Sequence, residues 1–309
     1  MEIIGINGDK GNISSNIPFI TKPYQISCLF FDIDKNYFKI EIIDADKNFK
    51  SKLFKGMNYF QNSASIMFPP FRYDINDFLD SIDENEMNDI YGGVYGLTND
   101  IGAFYNGIFC NDKIITIFFN QEIIKFSSLA IHGFKPIGLK FKVTKAEKNV
   151  IYELNDLPAL DVIEDYIGEI KQKNIDSFLH PFCVYHKGYE SLASIKNIDR
   201  DKKYITFYKY IYEGENIRIT MPSNQNSIVN YLDETLKNID CDGLFMFSCV
   251  GRYAYYKELI SFEIAKVSEV IDKPIAGFLT YGEIGSNNIN TKSILQNQTM
   301  NLVFFKVLK

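Results

Sequence analysis

The run Ser248-Cys249-Val250-Gly251-Arg252 follows an apolar stretch, and Glu263 lies further along. A buried strand that ends here and hands over to a helix leaves backbone N–H groups unpaired. Together with an arginine they suit a carboxylate or another anion. Gly251 lets the chain turn and lets a ligand approach the backbone. The plainer alternative is an arginine that caps a loop or pairs with Glu263. A second run, Thr280-Tyr281-Gly282-Glu283, also lies just past an apolar strand. It offers a hydroxyl, a phenol, an unhindered backbone and a carboxylate. An amino-acid ligand needs its two opposite charges answered. Arg252 suits the carboxylate, and Glu283 or Glu263 the ammonium. Gln296-Asn297-Gln298-Thr299 adds amides, with Asn297 the preferred contact. The ligand-binding set is therefore Ser248, Cys249, Gly251, Arg252, Glu263, Thr280, Tyr281, Gly282, Glu283 and Asn297. The alternative here is a polar turn in which Glu283 pairs with Arg252 or caps a loop.

Other chemistry is poorly supported. The three histidines are His132, His180 and His186, and no His-x-x-x-His, Cys-x-x-Cys or Glu-x-x-His spacing occurs. No metal site is expected. Phe31-Asp32-Ile33-Asp34 has two aspartates at a strand end, as aspartate-nucleophile phosphatases do, but Asn36-Tyr37 does not continue that pattern. A charged turn is the simpler reading. Gly92-Gly93-Val94-Tyr95-Gly96 is followed by no Lys-Ser/Thr pair, so it is not a phosphate loop. No nucleophile, base and orienting group assemble from local motifs, so no catalytic residues are assigned.

The elements that must carry these residues differ along the chain. Short apolar or alternating runs at 26–33, 38–43, 90–97, 103–110 and 114–119 predict strands. The 38–43 strand is expected to be the hairpin partner of the one before it. Asn106-Gly107 predicts a tight turn. A helix is predicted within 75–90, capped by Asp74 or Asn76. Helical spacing recurs over 157–170, with Pro158 in its first turn. Residues 204–212 and 216–220 read as a hairpin around Glu213-Gly214-Glu215. From Ser227 the order is helix (227–239), strand (243–250), helix (256–271), strand (274–281) and strand (300–308). The predicted class is α/β (mixed α+β), with two tightly packed halves of mainly antiparallel or mixed sheets flanked by helices. The halves are 1–155 and 156–309.

Bulk properties exclude several roles. The net charge of -6 and the lack of long basic runs argue against nucleic acid, whose binders need a basic face. Five scattered cysteines form neither a disulfide framework nor a zinc site. The first residues, Met-Glu-Ile-Ile-Gly, do not read as a signal peptide, and no run is long enough to cross a membrane. The expected compartment is the cytoplasm.

Four segments together resemble the FIST family of sensory domains. They are Ala130-Ile131-His132-Gly133-Phe134-Lys135-Pro136-Ile137-Gly138; Val143-Thr144-Lys145-Ala146 with the segment through Leu157-Pro158-Ala159-Leu160; Leu244 to Arg252 followed by Glu263; and Ala276 to Gly285 followed by Gln296 to Met300. The resemblance runs from about residue 90 onward and implies an N-terminal half shortened at its start. It implies a sensor of a small amino-acid-like ligand, or another small anion or zwitterion. The output would be a separate protein such as a kinase, cyclase or chemotaxis protein. It also raises a haem-dependent nitric oxide sensor, with His132 as the axial ligand, although no cofactor is expected by default. An enzyme of unknown reaction using the same cleft is a further alternative.

Overall fold

The computed structural model describes residues 4–6, 12–14, 32–44, 46, 48–82, 89–96, 102–170, 180–186, 189–257, 260–286 and 292–308. The first elements are β1 (Ile4–Ile6), β2 (Asn12–Ser14), β3 (Phe38–Asp44), α1 (Phe49–Met57), β4 (Ser63–Phe68) and α2 (Asn76–Asp80). They continue with β5 (Asp89–Gly93), β6 (Ala103–Tyr105), β7 (Ile108–Cys110), β8 (Lys113–Asn120) and β9 (Ile124–His132). Then come β10 (Phe134–Pro136), β11 (Phe141–Glu147), β12 (Val150–Leu154), β13 (Leu157–Pro158) and α3 (Ala159–Ile167). Next are β14 (Phe182–His186), β15 (Tyr189–Ala193), β16 (Ile195–Asp199), β17 (Tyr204–Phe207) and β18 (Asn216–Pro222). The last group is α4 (Gln225–Leu236), β19 (Gly243–Cys249), α5 (Val250–Tyr256), α6 (Ile260–Ile271), β20 (Ile275–Thr280), β21 (Glu283–Gly285), β22 (Ile294–Gln296) and β23 (Thr299–Val307).

The chain forms two compact units. Residues 1–131, 225–295 and 299–309 make the first, and 132–224 with 296–298 the second. In the first unit one sheet has the order β22-β21-β5-β4-β8-β3, and another the order β2-β20-β19-β23-β9. Each contains a parallel pair, β4 with β5 and β19 with β20. In each, the first strand of that pair has an antiparallel neighbour on its other side, β8 or β23. β4 reads Ser-Ala-Ser-Ile-Met-Phe and is buried along almost its whole length, as a central strand covered on both faces must be. β9 alternates buried and exposed residues over its first half, as a strand with one wet face does. One core cluster joins Phe68, Phe247, Phe278 and Val303, with Phe247 and Phe278 edge-on at 5.7 Å. Another gathers Leu53 and Phe78 from α1 and α2 against Ile114, Phe118 and Ile284. In the second unit a nine-stranded sheet runs β15-β14-β18-β11-β12-β17-β16, with β10 beside β18 and β13 beside β12. Its core includes Leu160 and Ile163 of α3 with Phe182, Phe207 and Ile217.

The protein is thus mixed α/β and mostly strand. The Asn106-Gly107 turn is present, with φ of 47° and 83°, and joins β6 to β7. The N-cap of α2 is Ile75 rather than Asp74 or Asn76, although Asp74 accepts the Asn76 N–H at 3.0 Å. Pro158 stands at the N-cap of α3 rather than inside its first turn. Several expectations are corrected. Residues 204–212 and 216–220 do not form a hairpin. β17 pairs with β12 and β16, whereas β18 pairs with β14, β11 and β10. The predicted 256–271 helix corresponds to α6 from Ile260, and a separate helix, α5, precedes it and ends at Lys257 with φ 54°. β3 pairs with β8 along its whole length, while most of the 26–33 segment, its expected hairpin partner, lies outside the described residues. Residues 26–31, 83–88, 97 and Cys28 lie outside the described residues. The four described cysteines, Cys110, Cys183, Cys241 and Cys249, are buried.

Candidate functional site

The site is built where β19 and β20 end side by side. Their parallel register places Ser248 beside Leu279 and Cys249 beside Thr280. On the other side of β19, Ser248 pairs with Met300 of β23, so Thr299 begins its strand at the same level. After Thr280 the chain leaves this sheet. The Tyr281 N–H donates to the Val94 carbonyl at 3.0 Å, and the Val94 N–H donates to the Gly282 carbonyl at 2.9 Å. β21 then joins the other sheet, with Glu283 opposite Gly93. Glu283 therefore sits at the crossing between two sheets. Gly93 is required there, because a Cβ on it would come within 2.3 Å of the Thr280 methyl group.

Glu283 is fully buried. The Thr280 hydroxyl donates to its Oε1. The Thr299 hydroxyl and N–H donate to its Oε2 at 2.6 and 3.2 Å. Burial pushes its carboxyl up to about 7 from 4.5, against the pull of these three donors and of the Arg252 charge. The penalty of taking a carboxylate out of water outweighs the bonds that favour the charged form.

Arg252 lies in α5 with no exposed surface, and Glu263 of α6 is 1% exposed. One guanidinium nitrogen, Nη2, donates to Glu263 Oε2. The Tyr256 ring lies 5.4 Å from the guanidinium carbon. Burial pushes the Tyr256 phenol up to about 12. Arg252 Nε and Nη1 are buried with no hydrogen-bond partner, and so is the Ser248 hydroxyl. Buried donors without acceptors are costly in a native protein, at about 1–3 kcal/mol each. The site thus has a strongly held positive charge with unused N–H groups and a proton-bearing or anionic carboxyl nearby. A small molecule with both charges, or with a carboxylate alone, matches that inventory.

The structure brings together Ser248, Arg252, Glu263, Thr280 and Glu283 from the sequence set. Cys249 is the N-cap of α5, and Gly251 lies in its first turn. Tyr281 turns its ring to Phe71, 5.2 Å away edge-on, while Gly282 serves through its backbone. Asn297 belongs to the second unit. Its side-chain oxygen accepts the Ser194 N–H at 3.4 Å and its amide donates to the Gln296 carbonyl at 3.0 Å. Thr299 is the contact that sequence reasoning undervalued, since it was grouped with amides and acts through its hydroxyl and N–H. A separate polar group in the second unit was missed: Ser191, Lys209, Glu215 and His186. His186 was visible as a rare residue, but nothing local linked it to the others. Among the described residues, no group of three or more His, Cys, Asp or Glu side chains could hold a metal. Among them, too, no helix is long and apolar enough to cross a membrane.

The FIST N domain model matches residues 14–157 and the FIST C domain model residues 159–286. The chain belongs to the FIST family, whose domains are associated with sensing in signal transduction. The match reaches back to residue 14, ahead of the four segments that carry the resemblance. An uncharacterized protein of Methanocaldococcus jannaschii is 24% identical over 304 aligned positions. The alignment covers 84% of this chain and 57% of that relative, so the chain spans little more than half of the relative's length.

Proposed function

We propose that this protein is a sensory module that binds a small amino-acid-like zwitterion or carboxylate at the ends of β19 and β20. The bound state is read by a separate output protein. The observation that carries the reading is Arg252: a fully buried guanidinium with Nε and Nη1 unpartnered. A ligand carboxylate would satisfy these donors with charge-assisted bonds. Glu283, with Arg252 acting on it electrostatically, supplies the opposite charge for an ammonium when ionised. The ligand biases the protein only by its difference in affinity between two states. Filling the site removes the cost of unpaired buried groups, so a ligand would favour the conformation that holds them in this arrangement.

The experiment is thermal unfolding with each amino acid and with simple carboxylates, on wild type and on Arg252→Lys. Lysine keeps a charge for Glu263 but lacks Nε and Nη1. A ligand at a hundred times its Kd stabilises the folded state by about 2.7 kcal/mol. The expected result is a concentration-dependent rise in Tm for wild type that Arg252→Lys loses. Equal rises in both proteins, or none in wild type, would overturn the reading.

A further inference from the structure

Lys209 and Ser191 both belong to the second unit, remote in sequence from the family motifs at the strand ends. Ser191 lies in the middle of β15, the outermost strand on its side of the sheet. Lys209 follows β17, in a segment tied back by the Tyr208 N–H to the Ser194 carbonyl at 3.1 Å. The lysine Nζ lies 2.6 Å from the serine Oγ. Lys209 is 7% exposed and Ser191 4%. A buried lysine ordinarily has a carboxylate to hold. Here Glu215 acts on Lys209 electrostatically, and its oxygens also hold other donors. Oε1 bonds the His186 ring at Nδ1, and Oε2 accepts the Tyr212 N–H at 3.0 Å. The Ser191 hydroxyl is a direct hydrogen-bond partner of the amine.

A hydroxyl within hydrogen-bond reach of a desolvated amine is the arrangement that activates a serine without a histidine. We infer that Ser191 and Lys209 form a nucleophile–base pair that accepts acyl groups from small esters or thioesters. Ser191 Oγ attacks the acyl carbon while its proton passes to Lys209 Nζ. The bond from that carbon to the alcohol or thiol breaks, and the leaving group takes the proton from Lys209. Water then attacks the acyl-serine, and a carboxylic acid leaves as the hydroxyl is restored. The base must be neutral to act. Burial pulls the Lys209 amine down to about 8, with Glu215 and then Cys183 opposing that pull. Cys183 is itself pushed up to about 12 by burial, so its thiol stays protonated over the working range. Glu215 is the charged group that faces the amine, and His186 is its ring partner.

A fluorophosphonate tests this on the full chain, since it needs the same nucleophile and base. Oγ–P forms, P–F breaks, fluoride leaves, and the hydroxyl proton goes to Lys209. The expected result is one adduct by intact mass, mapped to Ser191 and absent in Ser191→Ala. Its rate should rise with pH around a midpoint of about 8. Lys209→Arg keeps a charge in place but cannot serve as base. It should slow labelling at least tenfold, and Lys209→Met should do the same, both being checked for folding by circular dichroism. No adduct at Ser191 in wild type overturns the inference. So does labelling at an unchanged rate in a folded Lys209 variant. Neither outcome bears on Arg252, so the sensory reading stands or falls separately.

Discussion

At the level of single residues, the balance at Glu283 has a measurable consequence. Its carboxyl is raised from 4.5 to about 7 in the folded protein, chiefly by burial. Below pH 4.5 the group is protonated in both folded and unfolded chains. Between 4.5 and about 7 the unfolded chain has lost the proton while the folded chain keeps it. Folding then takes up a proton, so stability falls as pH rises through this window. The loss is complete above pH 7 and amounts to about 3 kcal/mol at roughly 1.4 kcal/mol per pKa unit. Urea unfolding of wild type and Glu283→Gln from pH 4.5 to 8 checks this. The wild type should lose ground against the variant across the window, and a constant difference would contradict it. Glu283 and Arg252 were legible in the sequence because each follows an apolar strand, where side chains of a buried sheet come out at its end. Ser191 and Lys209 were not, because only the fold of a nine-stranded sheet brings them together. Their types are common and their spacing has no period.

Elements show the same division between local and distant causes. The β6–β7 hairpin was readable because Asn106-Gly107 specifies its turn. The 204–220 hairpin was misread because alternating runs on either side of a glycine look alike whether or not they pair. β18 instead forms long antiparallel registers with β14. β4 and β14 had no separate signal, since short apolar runs fit helix and strand equally. What fixes the parallel pairs is close backbone contact. A Cβ on Gly277 would lie 1.8 Å from the Met246 carbonyl oxygen of the neighbouring strand. A Cβ on Gly92 would lie 1.9 Å from the Met67 carbonyl oxygen in the other parallel pair. Neither clash can be relieved by rotating a side chain. Gly277→Ala should therefore force β20 away from β19, at a cost of about 1–3 kcal/mol or more. Gly214→Ala is the control: its φ is 87°, but open space surrounds the position. It should cost only the left-handed backbone preference, roughly 1–2 kcal/mol. Denaturation midpoints compare them, and a Gly277 variant no less stable than the Gly214 one would contradict the packing argument.

Across the whole molecule, the two parallel pairs are parts of one repeated pattern. β4 and β5 with β8 match β19 and β20 with β23 in strand direction, and each pattern has a backbone-packed glycine at a methionine. The sequence read as two halves near 155 and 156, and the two family models meet at 157 and 159. In space the repeats exchange strands. β21, which follows the second pattern, adds to β5 of the first. β2 of the first half adds to β20, and β9 adds to β23. That exchange was hidden from the sequence, because strands that pair across halves carry no local mark of their partner. It makes the first compact unit depend on both halves for its core, with Phe68 against Phe247 and Phe278. Residues 1–155 alone, or 156–309 alone, should then expose unpaired strand edges and half of that core. Each expressed separately should give a poorly dispersed amide spectrum, or aggregate. Mixing the two during refolding should restore the dispersion of the intact chain. Residues 132–224 should behave differently, because Phe182, Phe207, Ile217 and their neighbours close a core within that segment. A dispersed spectrum from 1–155 alone would show that strand exchange is not what holds the first unit together.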